Sequence, residues 1–359
     1  MIEVFNIVDL FLDAAKRNPH RTAIIFNDRK ISFSELEKQV KNTAHYFLSK
    51  GISKGDRVLI FVPMSIDLYR IVLALFKIGA VGVFLDEWVG KKRMEECCKV
   101  AQCKAFIGIF KARILSIFST ELRRIPIKLG TSHNALNSNV AFPVTLKADT
   151  ALITFTTGST GTPKAALGTH GFLYYQFEAL KEKIEPGNDD VTMTVLPIVL
   201  LINLAIGSTS VIAHFKPGKP SSLQPKKIIQ QIETYSVNNI IASPFFIKRI
   251  SEYIIEKRIS IPQMKKIFTG GAPVFPGEAA IYDEAFPHVR IEVVYGSTEA
   301  EPISSINIKT LLMEKNNILH GLNVGKVDDC TEVKIIRIYD ESISINSETR
   351  IVRYRISNK

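Results

Sequence analysis

Apolar and polar positions come in alternating blocks along the first half of the chain. The apolar run TAIIF (residues 22–26) reads as a strand, and KISF (residues 30–33) as its hairpin partner. Ser34 then stands as the N-cap of a helix through Phe47, with Leu36, Val40, Ala44 and Phe47 spaced along one face and Gly51 as its stop. KGDRVLIFVP (residues 54–63) predicts a turn and a buried strand, residues 66–79 an apolar helix, and AVGVFLD (residues 80–86) a further strand. A helix over 95–101, a strand over 105–109, a polar loop over 130–147 and a strand over 151–155 follow.

The alternation continues in the second half. Helices are predicted over 226–235 and 245–257. Strands are predicted over 239–242, over 266–269 ending in Gly270 and Gly271, and over 291–294 ending in YGSTEAEP. Strands that alternate with helices predict an α/β fold with layered, mostly parallel sheets flanked by helices. After Gly321 the texture changes to short β-runs over 332–338 and 350–356, the start of an antiparallel unit.

Composition bounds the function. The chain has 359 residues, 46% hydrophobic and 23% charged, enough apolar content for a large core and too much for disorder. No repeat with a period of roughly 20 to 50 residues stands out. The formal charge of +11 fits a basic, soluble surface or attraction to anionic ligands such as nucleotides. Lys and Arg are scattered and no groove-reading motif appears, which argues against nucleic acid. Cys97, Cys98 and Cys103 cluster without paired C-x-x-C spacing or a nearby histidine, and with Cys330 they read as reduced thiols, not zinc ligands. Acidic residues interrupt the N-terminus, so no signal peptide is read there. Residues 191–215 lack Asp, Glu, Lys and Arg, but Pro197, Asn203 and Gly207 suit buried strand, turn and helix better than a membrane span. A cytoplasmic location is the expectation.

The most concentrated chemistry lies in TFTTGSTGTPK, residues 154–164. It is not the nucleotide P-loop: Gly158 and Gly161 come too early, Pro163 precedes Lys164, and Ala165, Ala166 and Leu167 read as a return strand, not a helix. The segment reads as a hairpin tip. Its glycines let backbone N–H groups converge on an anion, its hydroxyls donate, and Lys164 adds a charge. From composition alone, an ordinary Gly/Ser/Thr turn is an equal alternative.

The ordered string TFTTGSTGTPKAALGTHGF resembles the phosphate-loop signature of the acyl-adenylate-forming (AMP-binding) superfamily of acyl-CoA synthetases, luciferases and peptide-synthetase adenylation domains. KISFSELE and the segment over 54–86 are similar to that family's N-terminal region. TGGAPV (residues 269–274) looks like its adenine-side loop, and VYGSTEAEP (residues 294–302) like its Tyr-Gly-x-Thr-Glu motif. AFIGIFKAR, IEPGNDD, SPFFIKRI, GGAPVFP and VKIIRIYDESI narrow the resemblance to the β-lactone synthetases of long-chain olefin biosynthesis, with fatty-acyl ligases close by.

The resemblance implies an AMP-binding N-terminal domain of two α/β subdomains over 1–320 and the start of a β-barrel subdomain over 321–359. It implies ATP- and Mg²⁺-dependent activation of a fatty or β-hydroxy fatty acid. The acyl-adenylate would pass to coenzyme A or an acyl carrier protein, or close on its own hydroxyl. By motif position, Thr156, Thr157, Gly158, Ser159, Thr160, Gly161 and Lys164 would hold the ATP β- and γ-phosphates. Gly271, Ala272 and Pro273 would line the adenine, with Tyr295 beside it followed by Gly296. Thr298 would contact the α-phosphate and Glu299 would bind Mg²⁺, with Lys164, Thr298 and Glu299 carrying the catalysis. Taken singly, Tyr295 also fits a core aromatic, Thr298 a cap and Glu299 a helix-start carboxylate.

Leu196 and Pro197 are followed by Ile198, Val199, Leu200 and Leu201, which suit an apolar acyl tunnel or plain core; His170 reads as structural. The pattern departs from the family at Ala165, usually Gly, and at Glu301, usually apolar in the lactone-forming relatives. The family's ribose-gripping Asp, hinge and lysine-bearing C-terminal lid domain find no match before Lys359. A ligase whose C-terminal domain is supplied separately or was cut off is one expectation, a catalytically weak nucleotide- or acyl-binding protein of the same fold a second, and an unrelated membrane-bound or nucleic-acid-binding role a third.

Overall fold

The computed structural model describes residues 3–85, 90–134, 140–156, 163–215, 218–297, 299–313 and 321–333. In chain order, α1 (Val8–Arg17) precedes β1 (Thr22–Phe26), β2 (Arg29–Ser32), α2 (Phe33–Ser49), β3 (Arg57–Phe61), α3 (Ile66–Lys77) and β4 (Val81–Phe84). Next come α4 (Lys91–Ala101), β5 (Ala105–Gly108), α5 (Phe110–Ile117), α6 (Thr120–Arg124), β6 (Ile127–Leu129), β7 (Thr150–Thr156) and β8 (Lys164–Thr169). The second half holds α7 (His170–Ile184), β9 (Val191–Thr194), α8 (Pro197–Ile206), β10 (Thr209–Ile212), α9 (Pro225–Thr234), β11 (Asn239–Ala242) and α10 (Pro244–Lys257). It closes with β12 (Lys266–Gly270), α11 (Pro276–Ala285), β13 (Arg290–Ser297), β14 (Ala300–Asn307), α12 (Ile308–Met313) and β15 (Lys326–Val327).

Among the described residues these strands build two sheets. The six-stranded sheet runs β6-β5-β3-β4-β7-β8, parallel except for the β7–β8 hairpin. The nine-stranded sheet runs β15-β14-β13-β12-β11-β9-β10-β1-β2, parallel from β1 to β13 and antiparallel at both edges. Strands such as β5, β10 and β11 are buried along their whole length, because helices cover both faces of a parallel sheet. The β1–β2 hairpin, although early in sequence, joins the larger sheet through β10.

Helix α2 corrects one sequence expectation. Its N-cap is Ser32, not Ser34. The Glu35 N–H donates to Ser32 Oγ at 3.2 Å, and the Ser32 N–H donates back to the Glu35 carboxylate at 2.9 Å. This capping box makes Phe33 the first helical residue and buries its ring. Leu36, Val40, Ala44 and Phe47 face the core as their spacing predicts.

The apolar stretch at 191–215 divides into β9, α8 and β10, with Pro197 opening α8 and Gly207 closing it in the left-handed region. At ten residues α8 is too short to cross a bilayer, and no helix among the described residues is long and apolar enough to do so.

Candidate active site

Parallel pairing brings the C-terminal ends of β9, β11, β12 and β13 to one edge of the larger sheet, where open α/β sheets place their ligands. β12 and β13 finish side by side, with Gly270 opposite Val294. A side chain on Gly270 would collide with the Val294 carbonyl oxygen, so only glycine lets the two strands stay paired to this point. Gly271 then adopts a φ of 82°, turning the chain outward. Gly271, Ala272 and Pro273 stand exposed, and buried Val274 pins the turn before α11 begins at Pro276.

The YGSTEAEP segment is the tip of the β13–β14 hairpin, not a strand end leading into a helix. Ser297 pairs with Ala300, and the register shifts between Tyr295 and Ser297. Such a bulge re-aims side chains beside a functional site. Glu299 lies in the turn, which removes its reading as a helix-start carboxylate. Tyr295 is 49% exposed, which removes the core-aromatic reading. The strand ends thus bring Gly271, Ala272, Pro273, Tyr295, Gly296 and Glu299 to neighbouring strands. Thr298 falls outside the described residues, as do Thr157, Gly158, Ser159, Thr160 and Gly161.

Lys164 lies on the other sheet. It opens β8, is exposed, and pairs in register with Thr156, the last residue of β7. The return strand expected after Lys164 is therefore present, with β7 and β8 as hairpin arms. β8 passes directly into α7, whose first turn is capped by Thr169: the Phe172 N–H donates to Thr169 Oγ1 at 3.0 Å. Helix α7 ends against the larger sheet, where Lys183 Nζ donates to Ser305 Oγ and to the Asp328 carboxylate, both at 2.7 Å. A single rigid helix thus links the hairpin that carries Lys164 to the hairpin that carries Glu299.

Between α7 and the β13–β14 hairpin lies an open cavity of about 650 Å³. Tyr175, Gln176 and Ala179 line it from α7, Glu299 and Glu301 from the hairpin, and Cys330 from beyond β15. Burial raises the Glu301 carboxyl above the ordinary carboxylate range. Gln176 also touches a second, small apolar pocket formed by α1, α3, α7 and α8, which includes Phe76, Phe177, Ile198 and Leu201. Sequence reasoning did not find the α7 contribution. Its signal was Leu173, Phe177, Leu180 and Ile184 at helical spacing.

His170 stands apart from this chemistry. It is fully buried, its Nδ1 accepts the Ile7 N–H at 3.1 Å, and burial pushes its pKa down to about 4. It joins α7 to the start of α1, in keeping with a structural role.

The family model for AMP-binding enzymes matches residues 11–347. This chain belongs to that family. Among curated relatives it is 28% identical over 342 residues to an olefin β-lactone synthetase of Xanthomonas campestris, covering 90% of this chain and 61% of the relative. It is 25% identical over 299 residues to a feruloyl-CoA synthase of an Amycolatopsis species, covering 80% of this chain and 58% of that protein. The chain thus spans about three-fifths of the length of these relatives. Among solved structures, an amide bond synthetase from Marinactinospora thermotolerans superposes with a TM-score of 0.77 at 18% identity, over 92% of this chain and 67% of that one. The N-terminal subdomain of a Klebsiella oxytoca protein bound to 3-hydroxybenzoyl-AMSN superposes with a TM-score of 0.69 at 24% identity, over 84% and 75%. These likenesses agree with the α/β fold of AMP-binding N-terminal domains.

Proposed function

We propose that this site activates a carboxylic acid by adenylation. The acid's carboxylate attacks the α-phosphorus of ATP, the bond to the β-phosphate oxygen breaks, and acyl-AMP and pyrophosphate result. The observation that carries the reading is the pairing of two loops at the ends of neighbouring strands. Gly271–Ala272–Pro273 follows β12, and the Tyr295–Gly296 bulge leads into Glu299 beside a cavity large enough for an acyl nucleotide's head.

In this account Gly271, Ala272 and Pro273 bed the adenine and Tyr295 stacks beside it. Thr156 to Gly161 and Lys164 hold the β- and γ-phosphates, and Thr298 contacts the α-phosphate. The exposed Glu299 carboxylate on the cavity wall suits a magnesium ion, which takes hard oxygen donors and keeps phosphate and water ligands besides. When bound, the ion neutralises phosphate charge. The chain's own contribution is positioning and fixed charge, worth several orders of magnitude in such reactions.

The acid is proposed to be a fatty or β-hydroxy fatty acid. The β-lactone synthetase relatives support this, since a β-lactone forms from an activated acid bearing a β-hydroxyl. Coenzyme A, an acyl carrier protein or the substrate's own hydroxyl would accept the acyl group. The test is thermal stabilisation by non-hydrolysable acyl-adenylate mimics in a chain-length series. Stabilisation should rise with acyl length, and a response that ignores length would remove the fatty-acid assignment.

A further inference from the structure

Helix α5 wears its bulky residues outward. Phe110, Ile114 and Ile117, at helical spacing along one face, are 74%, 41% and 62% exposed, and Phe118, just past the helix end, is 69% exposed. The opposite face is small: Ala112 and Ser116 are buried, and the Ser116 hydroxyl donates to the Arg113 carbonyl at 2.6 Å. Ala112 joins the core cluster of Phe106, Leu122 and Ile125, and a Cβ on Gly108 would lie 3.1 Å from that of Ala112, so the helix sits close on the end of β5. Burying the small side and exposing the large one reverses the usual order of an amphipathic helix. Single exposed apolar residues need no explanation, but no other nine-residue stretch among the described residues exposes four large ones.

The charge around this face is mostly of one sign. At about 3.6 residues per turn, Lys111 and Arg113 fall on either side of the apolar stripe. Arg123 and Arg124 close α6, Lys128 lies on β6, and all five cations are exposed. The one acid in the sequence between residues 110 and 128 is Glu121, which is paired with Arg124 at 3.0 Å. Helix α4, packed on α6, carries four basic and two acidic residues, and one of the acids, Glu95, accepts the Ser119 hydroxyl at 3.0 Å. In the six-stranded sheet β5 stands four strand positions from β8, about 19 Å, so this face is remote from Lys164.

We propose that α5 and its basic rim dock this protein on an anionic lipid surface. Phe110, Ile114, Ile117 and Phe118 enter the boundary between headgroups and acyl chains, and the cations meet the negative headgroups. Lys and Arg suit that position, because their stems lie along apolar surface while their heads stay in water. The helix lies in the interface and does not span it, since eight residues are too few. A second copy of this chain on the same face would bring like charges together, which a negatively charged surface does not. The docking is independent of the adenylation reading.

The test is co-sedimentation of the 359-residue chain with vesicles of phosphatidylcholine alone, or with about one-third phosphatidylserine. The wild type should favour the anionic vesicles by about tenfold or more, and about 1 M salt, which cuts the screening length to about 3 Å, should erase the preference. Phe110→Ser with Phe118→Ser should weaken anionic binding by about tenfold or more. Lys111→Gln with Arg123→Gln should weaken it by about 25-fold, at about fivefold per cation. Two controls remove equivalent groups elsewhere and should bind as the wild type does: Met313→Ser, at a residue 86% exposed on α12, and Lys226→Gln with Lys227→Gln on α9. Each variant is first checked for a cooperative melt. A wild type that binds neither vesicle or both equally, or losses that are the same in the control variants, would overturn the proposal. So would self-association in light scattering that Phe110→Ser with Phe118→Ser abolishes, which would assign the face to a second copy. A chain that ignores vesicles yet binds an acyl-adenylate mimic would leave the adenylation reading standing.

Discussion

Gly270 and Val294 close the ends of two parallel strands so tightly that a Cβ on Gly270 would lie 2.5 Å from the Val294 carbonyl oxygen. Gly270→Ala should therefore cost about 2–3 kcal/mol, because the clash is with backbone and not with a side chain that can turn away. It should also weaken adenylate-mimic binding, since the next three residues form the proposed adenine bed. Gly277→Ala is the matched control. A Cβ there meets nothing within 4 Å, and alanine suits the first turn of α11. Denaturant titration of both variants checks the contrast.

Acid should weaken the fold through His170. The folded chain holds this imidazole neutral, with its pKa pushed down from the ordinary 6.5 to about 4 by burial. Between those values the unfolded chain binds a proton that the folded chain refuses. The stability linked to His170 is thus fully present above pH 6.5 and falls as the pH drops towards about 4, by an amount on the order of 3 kcal/mol. His170→Asn keeps an acceptor for the Ile7 N–H but does not titrate there, so its stability should vary less over this window in urea denaturation.

Arg70 organises a buried polar cluster between α2 and α3. Its guanidinium donates to Thr43 Oγ1 and His133 Nε2 at 2.7 Å each, to Asp67 at 2.8 Å and to the Thr131 carbonyl at 2.6 Å. Arg70→Ala strands these acceptors and should cost about 3 kcal/mol. Arg70→Lys should recover only part of that, because one ammonium cannot reproduce the planar fork. Thermal melting of the two variants decides the point.

Thiol chemistry should single out Cys330. Cys97, Cys98 and Cys103 are buried, and burial pushes the thiols of Cys98 and Cys103 up to about 12. Cys330 is exposed and lines the cavity. A disulfide reagent applied to the native chain should modify one cysteine, and a bound acyl-adenylate mimic should slow that reaction. Mass spectrometry of the labelled chain identifies the site.

Much of the fold is legible in the sequence where apolar runs and helical spacing agree. The strands at 22–26, 57–61 and 239–242 and the face Leu36, Val40, Ala44 and Phe47 are examples. The predicted β-runs after residue 333 lie outside the described residues. Helix α7 was hidden because Phe172, Leu173, Tyr174 and Tyr175 form an aromatic run that suits a strand equally well, although Phe177, Leu180 and Ile184 continue a helical face. β14 was hidden for another reason. Pro302 lies inside it and demotes a strand reading, and the hairpin tip carries no Asn-Gly or Asp-Gly turn signal. The chemistry of the site was readable as ordered motifs. The cavity that joins Glu299 to Gln176 was not, because α7 and the β13–β14 hairpin meet only in three dimensions.

The most direct test of the central claim is thermal stabilisation of the 359-residue chain by a non-hydrolysable acyl-adenylate mimic. The comparison is between the wild type and the double variant Lys164→Ala with Thr298→Ala. At a hundredfold excess of mimic over its dissociation constant, the wild type should gain about 2.7 kcal/mol. The double variant, melting normally without ligand, should gain far less. A well-folded wild type that gains nothing, or a double variant that gains as much as the wild type, would contradict an acyl-adenylate site built on these two hairpins.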